Sequence, residues 1–136
     1  MREAPHIYGG EDTGDGNIIT GNIQYGIYIG AGADADCSDG VCVKIEWNNI
    51  KLNTIGIGAE DPGTGDYFDG RCNWWNDANG PNDPIGPPQG PPDQHLNPNG
   101  QTVSDYFYYR DTVAPKLKGW LDKPMEDPTA QCNGGI

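Results

Sequence analysis

The stretch Val41-Cys42-Val43-Lys44-Ile45-Glu46-Trp47-Asn48-Asn49-Ile50 is followed, after a short gap, by Asn53-Thr54-Ile55-Gly56-Ile57-Gly58. Upstream, Asn17-Ile18-Ile19-Thr20-Gly21-Asn22 leads into Tyr25-Gly26-Ile27-Tyr28-Ile29 in the same order: an Asn, a short Ile-rich strand, a polar turn, then Gly-Ile. A third Asn, Asn73, follows Tyr67-Phe68-Asp69-Gly70-Arg71-Cys72 and opens onto Trp74-Trp75. Setting Asn17 beside Asn49 and Asn73 gives intervals of 32 and 24 residues. The longer interval contains an insert over 31–40, whose removal leaves about 22 residues per unit. This is an internal repeat with loops of variable length.

Each unit holds strands too short to fold alone, with apolar residues alternating toward one side. Stacking the units pairs every strand with its equivalent in the next unit and joins the inner Ile and Val residues into one core. Ile18, Ile19, Ile27 and Ile29 are expected to line the first coil. The repeated Asn residues are expected to hydrogen-bond one another along the stack, with Gly26 and Gly56 at tight corners. The expected fold is therefore all-β: a right-handed, single-stranded parallel β-helix of about three coils, forming one domain over 1–136. Its coils span 11–75, a Pro- and Gly-rich loop spans 76–101, and a capping segment spans 102–136. In the last segment Tyr106-Phe107-Tyr108-Tyr109 and Trp120-Leu121 supply the apolar cover that an open coil requires.

Composition narrows the function. The formal net charge is −12, from 20 acidic and 8 basic residues. Such a chain repels phosphate backbones and anionic bilayers, so neither nucleic acid nor membrane insertion is expected. No apolar run reaches the length of a membrane span, and no signal peptide is visible at the start. Four cysteines with no CxxC pair, and two histidines without zinc spacing, favour disulfides in an oxidising compartment over a zinc site. Cys37 and Cys42 flank a turn-like stretch, which leaves Cys72 and Cys132 to tie the C-terminal tail to the body. Four cysteines permit three pairings, and sequence alone does not choose among them.

The run Cys72-Asn73-Trp74-Trp75-Asn76-Asp77-Ala78-Asn79-Gly80-Pro81 resembles the NNWWGDxxGP signature that often ends the coils of secreted parallel β-helix proteins of the pectate-lyase-like superfamily. Asn97-Pro98-Asn99-Gly100, Val103-Ser104-Asp105 and Trp120-Leu121 look like the loop, closing strand and final Trp-Leu that follow it there. Cys72 stands at the first Asn of the signature, which suggests a disulfide at the cap, and Asn76 stands at its Gly. The resemblance covers roughly 15–121 and implies an extracellular, cell-surface or periplasmic location. That superfamily includes lyases, glycosidases, adhesins and surface-layer components, so the resemblance does not select a function.

About three coils make a stack of roughly 14 Å, short for a groove that holds several sugar units. A lyase needs a base to remove the proton beside a carboxylate, and Lys44 and Arg71 are the basic residues within the repeats. No catalytic residue is assigned. Acidic turns at Asp12, Asp15, Asp61 and Asp66 are candidate calcium ligands, although neither turn matches the twelve-residue calcium loop. Tyr106, Tyr108 and Trp120 are candidates for stacking on sugar rings. The expected function is a non-catalytic structural, adhesive or carbohydrate-binding segment. The alternatives are the C-terminal fragment of a polysaccharide-degrading enzyme and a self-assembling filament or surface-layer subunit. Within 1–10 the apolar pair Ile7-Tyr8 is too little to cover the first coil. Residues 11–30 are therefore expected to meet another chain or further coils.

Overall fold

The computed structural model describes residues 6–9, 17–39, 41–63, 65–84, 95–103, 106–111 and 117–136. Among them there is no helix. Eight short strands form: β1 (His6–Tyr8), β2 (Asn17–Thr20), β3 (Tyr25–Ile29), β4 (Lys44–Glu46), β5 (Asn48–Lys51), β6 (Ile55–Ala59), β7 (Phe68–Asp69) and β8 (Phe107–Tyr108). They are arranged in three separate ladders, β1-β4-β7-β8, β2-β5 and β3-β6, and every strand pairing is parallel.

The chain visits the three ladders in the same order on each pass. β1, β2 and β3 form the first pass, and β4, β5 and β6 lie directly against them. A third pass starts at β7 and touches the other two ladders through the parallel bridges Asn49–Trp74 and Ile57–Val103. β8 begins a fourth. Register sets the core: Ile7 pairs with Ile45, Ile19 with Ile50 and Ile27 with Ile57. Ile45, Ile50 and Ile57 are completely buried. Later passes place aromatic residues on the same interior, with Phe68, Trp75, Phe107 and Tyr109 at or below 1% exposure. Ile18, expected inside, is 54% exposed. It pairs with Asn49, one position off the Ile19–Ile50 row, and strand alternation sends the two rows to opposite sides.

The corners correct the expected Asn register. Asn17 stacks on Asn48 rather than Asn49, its side-chain amide donating to Asn48 Oδ1 at 2.9 Å. Asn48 in turn donates its backbone N–H (3.1 Å) and side-chain Nδ2 (3.2 Å) to Asn73 Oδ1. Asn49 is also buried but faces elsewhere: its Oδ1 accepts the Met125 N–H at 2.9 Å. A second Asn row lies at the next corner. Asn22 donates N–H and Nδ2 to Asn53 Oδ1, and Asn53 donates both to Gln101 Oε1 at 2.7 and 2.9 Å. Four of these corner amides, Asn22, Asn48, Asn53 and Asn73, follow a residue in the left-handed region: Gly21 (φ 75°), Trp47 (φ 60°), Leu52 (φ 57°) and Cys72 (φ 60°). The left-handed residue turns the chain, and the next side chain points into the corner.

Gly26 and Gly56 are not these corner residues. Both lie inside strands, and they are required for close approach: a Cβ on Gly26 would sit 2.7 Å from the Gly56 carbonyl oxygen and 2.9 Å from Asn53 Nδ2.

The Pro- and Gly-rich segment interrupts the second corner of the third pass. It leaves after Trp75 and returns at Gln101, whose N–H bonds the Trp75 carbonyl at 2.7 Å. Its two ends are ordered by the bridges Asn82–Thr102 and Asp83–His95. Asn76, at the position where the resembling signature has Gly, takes φ 68°, a conformation Asn tolerates better than most residues. The C-terminal segment then closes over the last pass. Cys72 N–H bonds the Gly119 carbonyl and Leu121 N–H bonds the Asn73 carbonyl, while Trp120, Leu121 and Met125 are at most 3% exposed. Two disulfides complete it, Cys37–Cys42 across the loop after β3 and Cys72–Cys132 from the third pass to the tail. Such bonds persist in oxidising compartments.

Candidate functional site

Two places combine polar chemistry or exposed apolar surface with defined geometry. The first is an ionic cluster beside β7 and β8. Arg71 grips Asp69 with both arms, Nε to Oδ1 at 3.0 Å and NH2 to Oδ2 at 2.9 Å, and reaches Asp111 Oδ1 through NH1 at 2.7 Å. Its guanidinium carbon lies 5.1 Å from the centre of the Tyr108 ring. Asp69 is only 3% exposed, so this arrangement supplies the counter-charge that a buried carboxylate needs. Asp111 is itself fixed, since its Oδ2 accepts the Lys118 N–H at 2.8 Å.

The same contacts decide what the cluster can do. Hydrogen bonding to Asp69 raises the Arg71 pKa, so Arg71 stays a cation at any physiological pH. Burial, reinforced by the negative charge of Asp69, pushes the Tyr108 hydroxyl up to about 12, which keeps it protonated. Neither group is a base near neutrality. Lys44 lies in register with Asp69 on the adjacent strand, but Arg71 already occupies both Asp69 oxygens.

The other expected site residues fall in different surroundings. Asp12 and Asp15 lie outside the described residues. Asp61 shapes its own turn, accepting the Gly63 N–H at 2.8 Å. Among the described residues, no group of three or more His, Cys, Asp or Glu side chains is placed to hold a metal ion. Trp120 is 3% exposed. Its ring packs against Gly80, Gly134 and Gly135, with the His95 ring 4.9 Å away and the Arg110 guanidinium at 5.5 Å. Its indole N–H is satisfied by the Ala78 carbonyl. Trp120 therefore has no free face for a sugar, and its role is to close the stack. Tyr108 sits under Arg71, and Tyr106 is half-buried at φ 74°.

The second place is the N-terminal end of the stack. β1, β2 and β3 each have one strand neighbour among the described residues. The inward residues of the first pass, Ile7, Ile19 and Ile27, are only partly buried, whereas Ile45, Ile50 and Ile57 one pass later are completely buried. An open apolar cleft of about 420 Å³ enters there, lined by Ile7, Ile27, Ile29, Val43 and Ile45 together with the loop after β3. The two ends of the molecule thus differ in kind, one sealed by Trp120, Leu121 and Met125, the other showing its core. No known protein family, curated protein or solved structure matches this chain.

Sequence reasoning set Ile7-Tyr8 before the first coil, whereas both lie in β1 of the first pass, with Ile7 paired to Ile45. It missed the Asn22–Asn53–Gln101 row, although Gly21-Asn22 carries the left-handed-residue-then-Asn signal. It also missed the ionic cluster. Asp69 ends β7 and Arg71 lies two residues beyond it, but Asp111 comes from 40 residues further on.

Proposed function

We propose that this chain is the closing segment of a right-handed parallel β-helix, similar to those of secreted pectate-lyase-like proteins, and that it acts outside the cytoplasm as a non-catalytic structural or adhesive module. The observation that carries this reading is the contrast between the two ends: a sealed C-terminal end against a first pass with partly buried inward residues and an apolar cleft. A module that terminates a stack needs one closed end and one that joins. The two disulfides favour an extracellular setting. The engagement of Arg71 and Tyr108 favours a structural over a catalytic use of the ionic cluster.

Amide hydrogen exchange on the isolated chain tests the reading. Exchange is expected to be slow around Ile45, Ile50, Ile57 and Phe107 and at least a hundredfold faster across 17–29. Equal protection in a chain that sediments as a monomer would show the first pass to be sealed already, and the proposal would fail. Turnover of a uronate or neutral polysaccharide, abolished by Arg71→Met, would overturn the non-catalytic part.

A further inference from the structure

The corner amides have a direction. In three resolved steps the earlier pass gives both its backbone N–H and its side-chain amide to the carbonyl oxygen of the later amide: Asn22 to Asn53, Asn53 to Gln101, and Asn48 to Asn73. The last member of one row folds its own amide back, Gln101 Nε2 donating to the Asn53 carbonyl at 2.8 Å. At the open end the row begins with Asn22, whose amide is spent on Asn53 and on the Thr20 carbonyl. Asn22 Oδ1 receives no hydrogen bond among the described residues, and Asn22 is exposed.

Resting on the reading above, we infer that the first pass is a docking surface for one further parallel strand–corner–strand segment of another polypeptide, and that this segment carries Asn or Gln at its corner. Its N–H and side-chain amide would complete the row at Asn22 Oδ1. Its strands would pair with β2 and β3 on the sides away from β5 and β6, and its inward side chains would fill the cleft over Ile27 and Ile29.

The same polarity argues against a second copy of this chain. Two first passes placed head to head would present Asn22 acceptors to each other, with no donor left over. They would also bring together two chains of net charge −12. Head-to-tail stacking is blocked because Trp120, Leu121 and Met125 cover the far end.

The probe is a synthetic peptide with this chain's own 44–59 sequence, which is a complete amide-cornered pass. It is titrated into the intact 136-residue protein with backbone amide shifts as the readout. Shifts are expected to be confined to the first pass, 17–29 and the cleft. Asn53→Leu in the peptide and Asn22→Ala in the protein should each weaken binding about five- to tenfold, the effect of one or two net hydrogen bonds. Asn22→Gln, which keeps both the acceptor oxygen and the donating amide as Gln101 does in the same row, should bind within about threefold of the parent, and this separates loss of the acceptor from loss of fold. Equal binding by the Leu peptide, no shift in 17–29, or dimerisation through 17–29 without peptide would each overturn the inference. Fast exchange across 17–29 together with such a failure would leave the closing-segment reading standing and remove only this partner.

Discussion

Asn53 and Gln101, 48 residues apart, exchange three hydrogen bonds: Asn53 N–H and Nδ2 both reach Gln101 Oε1, and Gln101 Nε2 returns to the Asn53 carbonyl. Both side chains are at most 7% exposed. Gln101 also donates its N–H to the Trp75 carbonyl at 2.7 Å, so the long Pro- and Gly-rich excursion that leaves after Trp75 returns to a fixed point on the stack. A loop of that length costs little extra closure entropy once its ends are held, because the cost grows only with the logarithm of length. The rest of the fold uses the same device, a corner amide that satisfies backbone groups of two passes at once.

Asn48→Leu tests that device where it is most buried. Asn48 is fully buried and donates to the carbonyls of Ile7 and Glu46, both at 2.9 Å, as well as to Asn73. Leucine fills similar space but leaves these acceptors unpaired, at about 1–3 kcal/mol for each that water cannot reach. A loss of about 3–5 kcal/mol in urea unfolding is expected. Asn17→Leu, at the exposed start of the same row, should cost about 1 kcal/mol or less.

Leu52 offers the opposite sign. It is 69% exposed and sits at φ 57°, equivalent to Gly21 one pass earlier. The left-handed region costs a non-glycine residue roughly 1–2 kcal/mol, and glycine gives back about 0.5–1 kcal/mol through its freer unfolded chain. Leu52→Gly is expected to be stabilising by up to about 1 kcal/mol, and Leu52→Val to be destabilising by a similar amount. Thermal melts of the two variants check the order.

These corners also mark where the sequence was readable and where it was not. The Ile rows showed because strand alternation leaves a period-two pattern in the residues themselves. The Asn48-Asn49 doublet offered two registers that differ by one residue. The deciding feature, the left-handed residue before the amide, is hidden when that residue is Trp47, Leu52 or Cys72 rather than glycine. Gln101 was hidden for two reasons: it is not Asn, and an insertion separates it from its row. The turn between Cys37 and Cys42 pointed to the disulfide partners that form, but nothing in the sequence excluded the other two pairings. The burial of Trp120 depends on glycines at 80, 134 and 135 that no local pattern links to it.

Tyr108 predicts a pH effect. Burial raises its pKa from 10.0 to about 12, so the folded state favours the protonated phenol. For a group whose folded pKa is raised, the stabilisation is fully present below the unfolded value and is lost as pH rises through the folded one. The parent protein should therefore lose stability between about pH 10 and pH 12. Tyr108→Phe should show a shallower loss over that window while melting within a few degrees of the parent at pH 8. Parallel alkaline limbs in the two proteins would contradict this.

The two disulfides should differ in worth. Cys72–Cys132 spans 60 residues and Cys37–Cys42 spans 5. In the chain-entropy account the longer loop contributes about 4 kcal/mol and the shorter about 2 kcal/mol. Location widens the gap. Cys72 is completely buried at the foot of the closing segment, beside the Gly119 carbonyl that holds its N–H. The double change Cys72→Ser with Cys132→Ser should therefore lower stability by about 4 kcal/mol or more. It should also raise proteolysis after Lys118 and Lys123 and increase the exchange of Trp120 and Leu121 amides. Cys37→Ser with Cys42→Ser should cost about half as much and leave exchange at Trp120 unchanged, because its loop lies after β3, away from the cap. A tail that stays protected without the longer disulfide would mean that packing of Trp120, Leu121 and Met125 alone seals the stack.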